Sequence, residues 1–488
     1  MKHRFFRRSL ALLLAAALAL SLAACAGSPA APADDDAPAN ESPVAAADTL
    51  AQAEDPALPA HMSDAEFEAA IEDLSAQNLS DKDYEAAWDK LYDEYSAQAD
   101  QYRTALEALR GGGMEDGDAA GLRAFTAALG KALLTGADGK NAVFSPANLY
   151  LALAALSEVT GGTSRDALLP LLGAQDLDTL RARADRVFRQ LYQDDGASQT
   201  RLAAALFLQR GRTYKDGPMA PLAERYHASA YRVPMGTAEA DKTIRTWLND
   251  NTGGLLKDAV EGIETDPSTL LLLATTLYFK DAWSNDFSAG ETAKDDFTLA
   301  DGSTVTADFM HKVQNQYVLR GDGWTAATLA FQGGAGMTFL LPDEGTDPAS
   351  LLGDEGALSA LLKRTSADSE EAEVHWSVPK LDVSADLCLN ETLQALGLSD
   401  LFDPQTADFS PLTDEAAYVG LVQHAARVTT DEEGCEAAAF TVIKTEAASD
   451  EPAPLPIVEM NLNRPFLFAI TGVDGLPLFL GLVENPAA

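Results

Sequence analysis

The sequence reads Asp431-Glu432-Glu433-Gly434-Cys435-Glu436-Ala437-Ala438-Ala439 directly after a strand-like run at 419–430. A polar, alanine-rich connection continues from there to about residue 456, where apolar residues resume. A connection of about 20 residues inside a compact domain is uncommon, and it is usually either functional or disordered. This stretch therefore decides how the domain around it is to be interpreted.

The connection separates by parity when it is read with a period of two. One parity carries no charge, and its members are Cys435, Ala437, Ala439, Thr441, Ile443, Thr445 and Ala447. The other parity holds Glu436, Lys444 and Glu446. A strand that enters a sheet needs this separation, because a buried unpaired charge costs several kcal/mol. The pattern favours a loop that can become a strand, although three charges alone leave a disordered loop open.

The domain around this loop extends from about Asp118 to the C-terminus. Helical patterns at 121–134 and 145–157 are mixed with strand-like apolar runs, and the regular repeat of a doubly wound parallel sheet is missing. Ser145 can cap the second helix, with Pro146 in its first turn. We predict an α+β fold for residues 118–488, with the exposed loop at about 432–456.

An N-terminal helical extension is predicted for residues 61–113. Ser63 and Glu66 form a capping box, and large apolar residues then recur at helical spacing. Two interpretations stay open for these helices. They form either a stalk that docks a partner or a small accessory bundle.

The first 25 residues have the pattern of an export signal. A basic start is followed by an apolar run at 10–22 and then by Leu22-Ala23-Ala24-Cys25. We predict a signal peptide at 1–24, a lipidated Cys25 and a disordered tether at 25–60, which would place the protein on the extracellular face of a bacterial cell membrane or shed from it. The alternatives are an ordinary secretory signal or an uncleaved span, for which the apolar run is short.

Composition excludes several classes of function. The chain of 488 residues carries 75 acidic and 35 basic residues, and a net charge of -40 repels nucleic acid. If Cys25 carries lipid, only Cys388 and Cys435 remain, so we expect a fold that does not depend on a disulfide framework. The sequence lacks the common motifs of serine hydrolases, zinc proteases, nucleotide-binding loops and calcium loops, so we expect no enzyme activity, no metal and no cofactor.

Further motifs stand along the domain in a fixed order. They are Asn141-Ala142-Val143-Phe144-Ser145-Pro146, Trp247-Leu248-Asn249, Thr252-Gly253-Gly254, Tyr278-Phe279-Lys280 with Trp283, Leu341-Pro342, Pro379-Lys380, Asp408-Phe409-Ser410, His424 and Asn463-Arg464-Pro465-Phe466. With the stretch that begins at Glu432, this series resembles the serpin family over about residues 118–486. Four departures from the family pattern are Thr275 for an asparagine, Asn148 for a serine, Cys435 for a hydroxyl residue and Phe440 for a smaller residue.

The resemblance implies a suicide inhibitor of serine proteases. In such inhibitors the protease cleaves the reactive-centre loop, which then inserts into the main β-sheet while the protease is held as a covalent acyl-enzyme. The resemblance places the reactive bond at Ala448-Ser449, which suits elastase-like or subtilisin-like proteases. Its insertion hinge comprises Glu432, Glu433, Gly434, Cys435, Glu436, Ala437, Ala438 and Ala439, and its gap residues are Ser145, His424, Lys380 and Trp283. The implied partner is one serine protease for each monomer.

Rival functions belong to other classes. A non-inhibitory scaffold of the same fold would bind a partner while its loop served only as a substrate. A hydrolase would need a site that no motif indicates, and a solute-binding lipoprotein would need a two-domain cleft that the order of segments does not favour. The composition of the hinge favours the inhibitor.

Overall fold

The structure is a computed structural model that describes residues 48–114, 116–135, 139–254, 262–363, 368–435 and 455–487. The described residues form two compact units, one at 61–100 and the other comprising 48–60 together with residues from 101 onward. Cys25, Glu436 to Ala439 and the bond Ala448-Ser449 lie outside the described residues. No helix among the described residues is long and apolar enough to cross a membrane.

Ten helices are described, together with short 3₁₀ and π turns. The helices are α1 (Asp64–Ala76), α2 (Asp81–Arg110), α3 (Asp116–Leu134), α4 (Pro146–Val159), α5 (Gly162–Leu171), α6 (Leu177–Leu191), α7 (Met219–Arg225), α8 (Ala238–Asp250), α9 (Glu355–Lys363) and α10 (Asn390–Leu393).

Seventeen strands are described, and they form two sheets. The strands are β1 (Thr49–Ala51), β2 (Ala142–Phe144), β3 (Gln193–Asp194), β4 (Gln199–Gln209), β5 (Ala228–Val233), β6 (Leu271–Ala282), β7 (Ala293–Thr298), β8 (Thr304–Gly321), β9 (Trp324–Ala330), β10 (Gly336–Pro342), β11 (Glu370–Pro379), β12 (Leu381–Cys388), β13 (Val419–Thr430), β14 (Gly434–Cys435), β15 (Ile457–Asn461), β16 (Phe466–Thr471) and β17 (Pro477–Val483).

The smaller unit is a helical hairpin made by α1 and most of α2. The capping box at Ser63 and Glu66 is present at the start of α1. Phe67 stacks on Tyr95 of α2 with 4.3 Å between the ring centroids. Aromatic residues at helical spacing therefore join the short helix α1, which would be marginal alone, to the longer helix α2.

The larger unit is built on two sheets. The central sheet has the order β1-β5-β4-β6-β14-β13-β12, with β3 on β4. The second sheet has the order β15-β11-β8-β9-β10-β16-β17-β2, with β7 on β8. Non-consecutive neighbours and a mixture of parallel and antiparallel pairs make this an α+β architecture, as the sequence predicts.

The main core lies between the two sheets and around α4. All residues of α4 are buried, and Ser145 caps it by accepting a hydrogen bond from the Asn148 amide. A second, smaller core lies on the other face of the central sheet, where Trp247 and Ile244 of α8 pack with Phe207 and Leu272. Strand β6 is covered on both faces, which explains its almost continuous apolar sequence.

The edge strand β1 comes from the range for which the sequence predicts a disordered tether. Thr49 and Ala51 pair antiparallel with β5, the Ala53 amide donates a hydrogen bond to Ser229 Oγ at 3.1 Å, and the Tyr231 hydroxyl donates to Gln52. The described part of the range, residues 48–60, thus includes a paired strand. Three residues are too few to show a period in the sequence.

Candidate functional site: the opening of the central sheet

The site lies where β6 and β13 separate. These parallel strands pair from Val419 opposite Leu271 as far as Ala425 opposite Thr276. Beyond Thr276, the described residues give β6 no partner on β13. We call this diverging part the opening.

Strand β14 occupies the head of the opening. Gly434 pairs antiparallel with Ala282 of β6, and Cys435 pairs with both Asp281 of β6 and Thr430 of β13. Cys435 is buried, with 2% of its surface exposed. Gly434 and Cys435, the third and fourth residues of the predicted hinge, therefore already lie between β6 and β13 as a short third strand.

A tight turn leads from β13 into β14. The Asp431 side chain accepts hydrogen bonds from the Glu433 and Gly434 amides at 2.9 and 3.2 Å, and the Asp431 amide donates to the Gly434 carbonyl. Aspartate favours such turns because its side chain can accept from amides two and three residues ahead. The turn sends the chain back along the opening in the antiparallel direction.

Gly434 is needed for close packing. A Cβ atom at this position would lie 2.3 Å from the Asp281 carbonyl oxygen and 2.7 Å from Ala282 Cα. Both atoms belong to the backbone of β6, so neither can move aside as a flexible side chain would. The absence of a side chain admits β14, and Gly434 is not among the residues with positive φ.

The end of β6 holds the turn from the other side. The Trp283 amide donates to the Glu433 carbonyl at 2.8 Å, and its indole Nε1–H donates to the Asp431 carbonyl at 2.9 Å. The indole stacks on Phe331 with 4.3 Å between the ring centroids. Trp283 thus connects the turn at 431–433 to Phe331, which directly follows β9 of the second sheet.

An ion pair lies beside this turn. Lys380 Nζ, just before β12, lies 2.6 Å from Glu432 Oε2, and the Thr292 hydroxyl donates to the other carboxylate oxygen at 2.6 Å. Burial acts to raise the pKa of Glu432, but the hydrogen bonds from Lys380 and Thr292 outweigh it and lower the pKa. The Lys380 side chain is 40% exposed, so solvent weakens the pair.

A second contact holds the strands where the parallel pairing ends. His424 of β13 is fully buried, accepts a hydrogen bond from the Ser145 amide on Nε2 at 2.9 Å, and lies with Nδ1 2.8 Å from Thr275 Oγ1 of β6. Acceptance on Nε2 places the ring proton on Nδ1 of a neutral imidazole. Burial lowers the pKa of His424 to about 3. His424 therefore joins β13, β6 and the start of α4.

Asp281 is a residue of the site that the sequence analysis missed. It is 2% exposed, accepts from the Ser198 hydroxyl at 2.8 Å, and accepts from the Gly333 amide at 3.0 Å. Burial raises the pKa of Asp281 to about 7. The signal available in the sequence is an aspartate within an apolar strand, two residues before Trp283.

The sequence-derived site residues thus fall into two clusters. Trp283, Lys380 and residues 432–435 meet at the head of the opening, while Ser145 and His424 meet at its lower end. Together the two clusters define a slot between the parallel strands β6 and β13. The contact between His424 and Thr275 closes its lower end, and β14 occupies its upper end. Such a slot can accept an extended segment as an antiparallel strand.

Comparisons with known proteins agree with this geometry. Residues 120–486 match the family model described as Serpin (serine protease inhibitor). Serpin-Z1A of Triticum aestivum is 33% identical over 371 residues, which cover 71% of this chain and 90% of the wheat protein. Serpin-ZXA of Oryza sativa subsp. japonica is 31% identical over 380 residues, covering 72% of this chain and 91% of the rice protein.

Solved structures share the fold. The thermophilic serpin tengpin in its native state superimposes with a TM-score of 0.69 at 22% identity, over 77% of this chain and 95% of tengpin. Arabidopsis AtSerpin1 in its native stressed conformation gives a TM-score of 0.67 at 24% identity, over 77% of this chain and all of that structure. The matched residues 120–486 contain every strand of both sheets except β1, together with the opening, and the chain belongs to the serpin family of serine protease inhibitors.

Proposed function

We propose that this protein is a suicide inhibitor that traps one serine protease molecule by inserting its cleaved loop into the central sheet. The observation that carries the proposal is β14, the two-residue strand at Gly434 and Cys435 between β6 and β13. It lies at the start of the predicted hinge and has the direction that an inserting loop would take. We propose that the protein acts as a monomer without enzymatic turnover.

Insertion would exchange one set of strand contacts for two. The inserting strand would replace the parallel pairing between Val419–Ala425 and Leu271–Thr276 and would separate His424 from Thr275. It would then pair with β6 on one side and with β13 on the other. Since antiparallel pairing is slightly more stable per residue than parallel pairing, the exchange favours the inserted state.

The length of the loop is sufficient for translocation. Fourteen residues beyond Gly434 lead to Ala448, and a strand of that length spans about 46 Å. A compact domain of roughly 370 residues has a diameter of about 54 Å. Insertion up to Ala448 would carry an attached protease nearly from one pole of the domain to the other.

The target class follows from the residue before the proposed bond. Ala448 would occupy the primary specificity pocket, which suits elastase-like or subtilisin-like proteases with small apolar pockets. A trypsin-like enzyme would need Lys444, which leaves a strand of only about 33 Å. We propose the small-pocket class as the target.

The test is adduct formation. The chain from residue 26 to residue 488 would be mixed with elastase-like, subtilisin-like and trypsin-like proteases and analysed on denaturing gels with mass spectrometry. We expect an adduct that survives boiling with a small-pocket protease, and a released peptide that begins at Ser449. The variant Ala437→Arg should be cleaved without an adduct, because insertion would bury its charge. Cleavage of the unaltered chain without an adduct would contradict the proposal.

We also propose that the inhibitor is anchored by lipid on Cys25 at the extracellular face of a bacterial membrane. The support is the order of basic start, apolar run and Leu22-Ala23-Ala24-Cys25. Labelling with a radioactive fatty acid in a bacterial host should modify the unaltered chain but not the Cys25→Ser variant. Equal labelling of both proteins, or of neither, would overturn the anchoring.

A further inference from the structure

One face of the second sheet exposes large apolar side chains beside the end of the reactive loop. Val313 and Tyr317 of β8 and Ile457 of β15 are 59%, 56% and 60% exposed. Isolated exposed apolar residues are common, but here three of them share the outward face of one sheet, on the two strands that flank β11. The opposite faces of β11 and β15 are buried in the core, for example at Trp376 and Met460.

Carboxylates lie between these apolar residues. The register places Glu373 of β11 opposite Ile457, and Glu371 opposite Tyr317. The next outward position along β15 is Glu459. We call this set the outer patch, and its members are Val313, Tyr317, Ile457, Glu371, Glu373 and Glu459.

His375 lies at the centre of the outer patch. Its Nε2 is 3.0 Å from a Glu373 oxygen and its Nδ1 is 3.3 Å from a Glu459 oxygen. Hydrogen bonding to Glu373 and the neighbouring Glu459 raise the pKa of His375. One imidazole thus lies between two carboxylates, and it leaves the patch with a net negative charge.

This combination suits a basic surface on a partner. Lysine and arginine lay their apolar stems on apolar groups while their charged ends reach carboxylates, and a cation also favours the face of an aromatic ring such as that of Tyr317. The whole chain has a net charge of -40, which attracts a basic partner from a distance. An acidic partner would be repelled both by the carboxylates of the patch and by the net charge of the whole chain.

The outer patch lies within reach of a protease that is bound at the proposed reactive bond. Strand β15 begins eight residues after Ser449, so the proposed reactive bond lies at most about 27 Å from Ile457. A protease of roughly 200 residues has a diameter of about 43 Å. A protease bound to the loop is therefore large enough to reach the outer patch.

We infer that the outer patch is a docking surface for the target protease, and that it selects proteases with a basic surface beside their active-site cleft. This inference rests on the proposed function, because it takes the protease bound to the loop as the occupant. The loop would select the primary pocket of the protease, whereas the patch would select its surface charge.

The test compares two pairs of charge reversals. The variant Glu373→Lys/Glu459→Lys changes the patch, and Glu224→Lys/Glu264→Lys makes the same change in net charge at exposed positions beside the central sheet. Each full-length variant would be mixed with a strongly basic elastase-like protease at low salt. We expect the patch variant to form adducts at least about tenfold more slowly, with a smaller difference at high salt, and the control to change much less. Equal losses in both variants would overturn the inference.

A protease whose catalytic serine is replaced by alanine separates docking from trapping. It cannot form an adduct, so its binding to the full-length chain by surface plasmon resonance reports docking even if the proposed covalent mechanism fails. We expect weaker binding to the patch variant and to Tyr317→Ala, with unchanged circular dichroism. Unaltered binding to both variants would overturn the inference, whereas absence of adducts with patch-dependent binding would overturn only the proposed function.

Discussion

Asp281 is a carboxyl group that the fold buries at the head of the opening. Burial raises its pKa from 3.8 to about 7. Between these values the folded chain holds a proton that the unfolded chain has released, so this group's contribution to stability falls as the pH rises and is lost above about pH 7. A pKa shift of about three units changes the free energy of unfolding by at most about 4 kcal/mol. A buried aspartate beside the hinge therefore costs stability at neutral pH.

We predict that Asp281→Asn stabilises the folded chain more at pH 8 than at pH 5. The amide can still accept from the Ser198 hydroxyl and the Gly333 amide, but it carries no charge to bury. Urea unfolding followed by tryptophan fluorescence would measure the midpoint at both pH values. The increase in the free energy of unfolding at pH 8 should exceed the increase at pH 5 by at least about 1 kcal/mol.

The matched control is Asp216→Asn at an exposed carboxyl group, which should change the midpoint little at either pH. His424 has the opposite sign, because burial lowers its pKa to about 3 and stability is lost as the pH falls below about 6.5. It is present in both proteins and cancels in the comparison. An equal gain from Asp281→Asn at both pH values would contradict the assignment of the shift to burial.

The residues of the opening differ in how well the sequence predicts them. Trp283, Lys380, His424 and Glu432 stand in motifs whose order indicates the family, and the structure places them around the opening. Asp281 is missed because its partners Ser198 and Gly333 are 83 and 52 positions away. Contacts across the fold leave no local period in the sequence.

At the scale of elements, β14 depends on the missing side chain of Gly434. We predict that Gly434→Ala displaces β14, because its Cβ would lie 2.3 Å from the backbone oxygen of Asp281. Insertion would then start more slowly, and the protease would hydrolyse its acyl bond more often before it is trapped. Titration of a small-pocket protease with this variant should show that several inhibitor molecules are consumed for each protease molecule that is trapped.

Gly217→Ala is the control for this variant, since a Cβ there meets no atom within 4 Å and the residue is not among those with positive φ. It should leave the stoichiometry unchanged. A Gly434→Ala variant that traps its protease as efficiently as the control would show that insertion does not begin at β14.

Strand β1 covers the edge of β5 in the central sheet. We predict that a chain starting at residue 59 is less stable than a chain starting at residue 48, by about 1–3 kcal/mol, because it loses the β1 pairing and the Ala53 hydrogen bond. An uncovered edge also favours association between molecules. Urea midpoints and sedimentation would measure both effects, and identical midpoints would mean that β1 contributes no stability.

The sequence predicts some helices and strands well and others poorly. The long apolar strand β6 and the capped helix α4 follow from continuous apolar runs and from Ser145 with Pro146. Strand β1 is only three residues long and lies in an alanine-rich segment. It forms because the edge of β5 offers Tyr231 and Ala230 as pairing partners, which the local sequence does not reveal. The outer patch likewise needs three strands brought together, since Val313, Glu373 and Ile457 are far apart in the chain.

At the scale of the whole molecule, the proposed mechanism implies that the uncleaved loop would keep the central sheet from completing its pairing. Fourteen inserted residues would form backbone hydrogen bonds on both sides and lose only the parallel pairing near His424. At about 1 kcal/mol for each net hydrogen bond, the gain is on the order of 10 kcal/mol. The intact chain would therefore be the less stable state, held by the covalent continuity of its loop.

This difference predicts the thermal behaviour of the nicked protein. Cleavage of the loop by a protease that is not trapped should raise the unfolding temperature well above that of the intact chain, because the freed strand can enter between β6 and β13. Nicked Ala437→Arg should show a smaller rise, since insertion would bury its charge. Differential scanning calorimetry of intact and nicked chains measures both. A nicked chain that melts at or below the temperature of the intact chain would mean that the loop stays outside the sheet and that the opening at Gly434 serves only to anchor it.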